Sequence, residues 1–224
     1  MKRQLILTED GSHTVFLPEM QEHYHSTHGA VNESKHVYID AAMKQVKPVE
    51  EALTILEVGF GTGLNALLTL GEAIRQKKKT RYVALEPYPL DPEIYERLNF
   101  GEIMDFPDAG DYLLQMHRRE WNFPYYYSDV FLLHKLITTL EEATLQEEVF
   151  DVVYFDAFAP GKQPEVWSLQ NFRKCFLAMK AGGILTTYSS QGQVKRNMEE
   201  SGFSVEKIAG AAGKREMLRA KKPS

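Results

Sequence analysis

The stretch LEVGFGTGLN, Leu56 to Asn65, joins a short apolar run to a segment of helical periodicity through a loop with glycine at every second position. Before it, LTILEV (Leu53 to Val58) has the length and composition of a buried strand. After it, LNALLTLGEAIRQKKK (Leu64 to Lys79) repeats apolar residues at helical spacing and ends in basic residues, which suit a helix carboxyl end. Glycines between the two let the chain turn tightly and let its backbone approach a ligand closely. Working outward, RYVALE (81–86), FPYYYSD (123–129), EEVFDVVYFD (147–156) and GGILTTYS (182–189) read as further strands. PEVWSLQNFRKCFLAMK (164–180) reads as a helix with Pro164 near its start, and QVKRNMEESG (193–202) as a short helix ending at Gly202. FSVEKIAG and KREMLRA form a closing strand pair, and QLILTED and SHTVFLP flank Asp10-Gly11 as an amino-terminal β-hairpin. Strands alternating with helices predict an α/β fold with a mostly parallel, doubly wound sheet. In such sheets ligands lie beyond the carboxyl ends of the strands.

The expected organisation is one domain over 1–224. Residues 1–50 supply the hairpin and a lid or substrate segment, and 51–224 the α/β core. At 43% hydrophobic and 25% charged, the composition is that of an ordinary globular protein. The net charge of −5 weighs against a protein that coats nucleic acid. It leaves room for docking one RNA through a local basic patch, such as RQKKKTR (75–81) or GKREMLRAKK (213–222). One cysteine, Cys175, forbids an intrachain disulfide and suits a reducing cytoplasm. The amino terminus turns polar too soon for a signal peptide or a membrane span, so no membrane association is expected.

Dinucleotide binding asks for G-x-G-x-x-G, but here Leu64 stands where the third of those glycines belongs. Glu57 also precedes the loop, and a carboxylate there repels a pyrophosphate and welcomes a cation. S-adenosylmethionine, with no phosphate, an ammonium and a sulfonium, fits better. Glu86 ends the second strand, where an acid can accept from both ribose hydroxyls. Asp129 ends the third, in reach of the adenine amino group. With Gly59, Gly61, Gly63, Asn65 and Val130 these acids make up the expected cofactor set. The plainer reading is turn glycines with solvated strand-end acids.

Asp156 ends the fourth strand and opens DAFAPGKQPEVW, a loop stiffened by Pro160 and Pro164. If the acceptor is an amine, Asp156 can hydrogen-bond its N–H groups, aim its lone pair or relay its proton. Phe158 offers a stacking face to a flipped-out base. The plainer reading is a helix amino-terminal acid and a packing loop. HYHSTHGA places His23, His25 and His28 at H-x-H-x-x-H spacing, but no acid or cysteine cluster accompanies them. No metal is expected, and a surface loop or substrate lid is the preferred role.

EVGFGTGLN, EPYPL, SDV, DAFAPGKQPEVW, SSQGQVKRNMEESGF and GKREML together resemble the methyltransferase half of the bifunctional MnmC tRNA-modification enzymes and their stand-alone MnmD relatives. The likeness runs from about Leu5 to Ala220, and the Asp156-to-Trp167 block is its most specific part. The resemblance implies a Rossmann-like class I methyltransferase fold, with an antiparallel carboxyl-terminal strand and the hairpin as an extension. It implies S-adenosylmethionine-dependent methylation of the exocyclic amine of 5-aminomethyl(-2-thio)uridine at the tRNA wobble position, with Asp156 in the active site. It implies that the companion FAD-dependent oxidase domain is absent from this chain. Phe158, Pro160, Lys162, His25, Lys214 and Arg215 are the expected substrate contacts. Two rivals remain: a methyltransferase of small-molecule or protein amines, and a nucleotide-binding module without catalysis.

Overall fold

The computed structural model describes residues 2–47, 51–211 and 213–224. A small antiparallel sheet comes first, from β1 (Gln4–Leu7), β2 (His13–Leu17) and β3 (Glu22–His23). The hairpin pairs as expected, with Leu5 opposite Val15. Helix α1 (Ala30–Ser34) runs on into a π-helical turn, Lys35–Asp40. The expected boundary after residue 50 touches Pro48, Val49 and Glu50, which lie outside the described residues.

The core follows as β4 (Leu53–Val58), α2 (Leu64–Gln76), β5 (Thr80–Leu85), α3 (Pro92–Tyr95), α4 (Phe100–Ile103), α5 (Ala109–Arg118), β6 (Pro124–Ser128) and β7 (Phe131–Leu136). It continues through β8 (Phe150–Phe155), α6 (Leu169–Ala178), β9 (Met179–Thr187), α7 (Gly192–Glu200), β10 (Ser204–Ala209) and β11 (Glu216–Lys221). These strands form one sheet in the order β10-β11-β9-β8-β4-β5-β7-β6. The five inner strands β9, β8, β4, β5 and β7 run parallel, while β6 at one edge and β11 toward the other run antiparallel to them, and β10 closes that edge antiparallel to β11. The chain leaves β4 toward β5 and returns to β8 on the other side, so β4 and β8 flank the switch point where ligands bind.

Every residue of β4 and β8 is buried, because helices cover both sheet faces. Ile55 and Tyr154 pack with Ala66 and Leu70 of α2 on one face. Leu56, Val153 and Phe155 pack with Phe172 and Cys175 of α6 on the other. Burial pushes the Cys175 thiol up to about 12, which leaves it inert. No helix among the described residues is long and apolar enough to cross a membrane.

Two expectations are corrected. FPYYYSD is not the third parallel strand but the antiparallel edge strand β6, and the strand beside β5 is β7, FLLHKL. The helix expected from Pro164 begins five residues later, at Leu169, where the Ser168 hydroxyl caps it by accepting from the Asn171 N–H.

Candidate active site

A cavity of about 780 Å³ opens at the carboxyl ends of β4, β5 and β8, roofed by the amino-terminal sheet through Leu17, Met20 and Tyr24. The glycine loop forms its floor. Gly59 has φ +95°, and a Cβ there would lie 2.5 Å from the Asp156 carbonyl oxygen. Only glycine lets the exit of β4 pass this close to the exit of β8, where the Asp156 N–H donates to the Val58 carbonyl at 2.9 Å. Gly61 lies under the Tyr24 ring. Its N–H donates to Glu86 Oε2 at 2.9 Å, and the Tyr88 N–H donates to Glu86 Oε1 at 2.8 Å. Glu86 is thereby aimed along the loop, with a lone pair on each oxygen left for a ligand. Arg3 of the amino-terminal segment clamps the turn that follows. It donates to the carbonyls of Tyr88 (2.8 Å) and Pro89 (3.1 Å) and to Asp91 Oδ2 (3.0 Å).

Asp156 lies half-buried at the other side of the floor. Tyr38 Oη donates to its Oδ1 at 2.5 Å, and Asn65 Nδ2 donates to its Oδ2 at 2.7 Å. Burial pushes the Asp156 carboxyl up to about 7, against the pull of these two hydrogen bonds. Asn65 spends its second amide proton on Glu57 Oε1, 2.9 Å away, and its own amide oxygen has no partner. Glu57 is fully buried beneath Asn65 and is not on the cavity wall; burial raises its carboxyl well above the usual range. The direct cation contact expected of Glu57 is therefore corrected to support of Asn65. The π-helical turn rotates Tyr38 inward; such turns recur at functional sites, and nothing in HVYIDAAM signals one.

The loop after β8 is held from behind. Trp167 Nε1 donates to the Phe158 carbonyl at 2.8 Å, and Tyr188 Oη to the Ala157 carbonyl at 2.8 Å. Phe158 faces the cavity and meets the Tyr24 ring edge-on, centroids 5.0 Å apart. Lys162 reaches across to the Met20 carbonyl at 2.7 Å and so ties this loop to the roof. Pro160, Lys162 and Arg215 do not line the cavity, and neither does Gly63, the residue just before α2.

Asp129 and Val130 form the turn between β6 and β7. The Val130 carbonyl accepts from the N–H of Thr80, the first residue of β5, at 2.7 Å. They therefore sit at the amino ends of the parallel strands, opposite the glycine loop, and their expected cofactor role is corrected. Thr138, Thr139 and Leu140, just beyond β7, occupy the wall where Asp129 was expected. Lys77 to Lys79 lie at that far end too, about 20 Å away by strand length.

The three histidines part company. His23 packs at a tilt against Phe16, His28 pairs with Glu9 at 3.0 Å, and His25 is buried on the cavity wall. Burial pushes His25 down to about 4, so it is a neutral imidazole near pH 7. Among the described residues no group of three or more His, Cys, Asp or Glu is placed to hold a metal.

Residues 112–223 match a family model described as S-adenosyl-L-methionine-dependent methyltransferase. The tRNA 5-methylaminomethyl-2-thiouridine biosynthesis bifunctional protein MnmC of Nitrosospira multiformis is 31% identical over 214 residues, 89% of this chain and 34% of that protein. The protein of the same name from Burkholderia multivorans is 30% identical over 96% of this chain and 34% of its own length. The chain thus spans about a third of the length of these curated relatives. The crystal structure of MNMC2 from Aquifex aeolicus superposes with a TM-score of 0.77 at 25% identity, covering 98% of this chain and 70% of that one. Spermidine synthase from Thermotoga maritima, at 13% identity and a TM-score of 0.60, shares the fold. The bound group these comparisons imply also suits the site: glycines cradle it, Glu86 has lone pairs to spare, and acids surround a place for cationic groups. The chain belongs to the S-adenosyl-L-methionine-dependent methyltransferases.

Proposed function

We propose that the chain N-methylates the 5-aminomethyl group of wobble (2-thio)uridine in tRNA. The observation that carries this reading is Asp156, set at the cavity floor beside the glycine loop and fixed by Tyr38 and Asn65. The relatives named for 5-methylaminomethyl-2-thiouridine biosynthesis support the substrate. S-adenosylmethionine supplies an electrophilic methyl group. An alkylammonium has a pKa near 10.4, so freeing its nitrogen at pH 7 costs roughly 4–5 kcal/mol. A carboxyl pushed up to about 7 is matched to accept that proton at neutral pH. Tyr38 and Asn65 hold one oxygen each, so the carboxylate cannot swing, and the amine's lone pair is aimed by the hydrogen bond it donates. Glu86 and the glycine loop hold the cofactor end, and Phe158 with Tyr24 supplies aromatic faces for the base. We place the protein in the cytoplasm, with tRNA as its macromolecular partner.

Nucleoside mass spectrometry of tRNA from a strain lacking the chain should show 5-aminomethyluridine species accumulating and the methylated form gone. Unchanged tRNA, with methylation of a free amine by the purified protein, would replace this reading with a small-molecule one.

Two variants probe the two ends of the cavity. Glu86→Ala should weaken cofactor binding by about 1.5–3 kcal/mol, as for hydrogen bonds to a charged acceptor, and calorimetry reads it. An unchanged dissociation constant removes Glu86 from the site. Tyr38→Phe deletes a hydrogen bond to the charged form of Asp156, so the Asp156 carboxyl rises further. The acid limb of the single-turnover pH–rate profile should move up by roughly one to two units, with activity recovered at alkaline pH. A profile superimposable on the parent's would mean that Tyr38 does not tune the proton acceptor.

A further inference from the structure

Arg3 and Lys214 are the arginine and lysine of the cavity wall among the described residues, and acidic side chains outnumber them. The terminal nitrogens of Arg3 are committed to the turn after Glu86, and its Nε is buried without a partner. Lys214 is different. It projects from the loop between β10 and β11, where Gly213 (φ +84°) presses so closely on His28 that a Cβ would strike the imidazole ring. Its ammonium donates to Glu33 Oε1 at 2.7 Å and stands 4.2 Å from the centroid of the Tyr188 ring. Glu33 is buried, and its other oxygen accepts from the Ser26 N–H at 2.7 Å. One ammonium proton thus goes to Glu33 and one faces the ring, which leaves a third for a ligand. Tyr188 itself donates to the carbonyl of Ala157, the neighbour of Asp156, and all of these residues line the cavity, so this donor stands at the acceptor end.

A lysine beside a site for an ammonium substrate is repulsive, and the surrounding acids suffice to draw a cation. Its presence calls for an electron-rich oxygen on the acceptor next to the amine. With the acceptor taken as aminomethyluridine, as proposed above, that oxygen is the ring carbonyl on the carbon adjacent to the one bearing the aminomethyl group. We propose that Lys214, held by Glu33 and Tyr188, reads the acceptor base by donating to this carbonyl. Cytosine carries an amino group there, so a lysine N–H faces a donor instead of an acceptor. Lys214 is then a specificity residue rather than a phosphate contact.

The test uses two anticodon stem–loop RNAs that differ only in carrying 5-aminomethyluridine or 5-aminomethylcytidine at the wobble position. The parent protein should prefer the uridine RNA by about 10- to 100-fold in kcat/KM. Lys214→Met should bring the two rates within a few-fold of each other, and Lys214→Arg should keep most of the preference. S-adenosylmethionine affinity should stay unchanged throughout. The double variant Glu33→Gln/Lys214→Met removes the buried unpaired carboxylate and should repeat the Lys214→Met result if that variant folds poorly. An equal loss on both RNAs with a flatter salt dependence makes Lys214 a backbone contact and overturns the proposal. A tenfold loss of S-adenosylmethionine affinity assigns Lys214 to the cofactor carboxylate and overturns it too, and an unchanged preference makes the pair structural. If the parent methylates neither RNA, the aminomethyluridine reading itself fails and takes this one with it.

Discussion

Replacing Asp156 with asparagine is expected to slow methyl transfer by about 10²- to 10⁴-fold at saturating cofactor, the usual range for losing a positioned proton acceptor. Asparagine keeps the size and one oxygen but cannot take a proton. It also turns an amide toward either Tyr38 or Asn65, both of which now donate to the carboxylate. Asp156→Ala should be at least as severe, since the amine loses its alignment as well. Single-turnover methylation of tRNA bearing aminomethyluridine reads the rate, and calorimetry should find cofactor affinity within a few-fold of the parent. The pH dependence gives an independent handle. The parent should lose rate as pH falls through the region where Asp156 is protonated, near 7. The asparagine variant should instead gain rate as pH climbs toward the amine's own pKa, near 10.4 for an alkylammonium. Near-parental turnover in Asp156→Asn would remove the carboxylate from the chemistry.

Gly59→Ala should damage folding, binding and rate together. The position needs φ +95°, and the added methyl group would meet the backbone oxygen of Asp156, which cannot rotate away. Left-handed strain alone costs about 1–3 kcal/mol. Relieving the clash means separating β4 from β8 at the hydrogen bond between Val58 and Asp156, and that displaces the carboxylate from Tyr38 and Asn65. For a chain of this length each kcal/mol lowers the melting temperature by roughly 2–4 °C, and calorimetric scans read it. Gly161→Ala is the matched control. A Cβ at Gly161 meets nothing within 4 Å, so melting, affinity and rate should stay at parental values. Parental behaviour of Gly59→Ala would mean that the close crossing of the two strands is dispensable.

The parts of the site that could be read in the sequence are those set by neighbours along the chain. The glycine loop after LTILEV, Glu86 after RYVAL and Asp156 after VVYF all follow short apolar strands, and the cavity gathers Gly59, Gly61, Glu86 and Asp156 as that order implies. β7 is hidden in the sequence because His134 and Lys135 interrupt its apolar pattern, and because the serine and aspartate before it read as a strand's end. With β6 standing in for the hidden β7, Asp129 and Val130 fall at the wrong end of the sheet. Tyr38 was invisible for another reason: it reaches the site through a π-helical turn that no local pattern announces. Glu33 and Lys214 meet across 181 residues, a pairing that only the folded sheet brings about. Glu57 looked like a cofactor ligand because its position before the loop says nothing of depth, and packing puts it under Asn65.

The grip of Arg3 on the turn after Glu86 couples two parts of the molecule that are distant in sequence. A sheet of three short strands draws its stability from what it covers rather than from itself. An occupant that requires Glu86 in place therefore opposes peeling of β1, and the free energy of that local opening rises by up to RT ln(1 + [L]/Kd), about 2.7 kcal/mol at a hundredfold excess over Kd. Amide hydrogens of Leu5 to Leu7 become reporters of cofactor occupancy, exchanging more slowly as the cavity fills. The same linkage runs in reverse, so unpairing the hairpin is expected to loosen the cofactor by releasing the grip of Arg3 on the turn after Glu86.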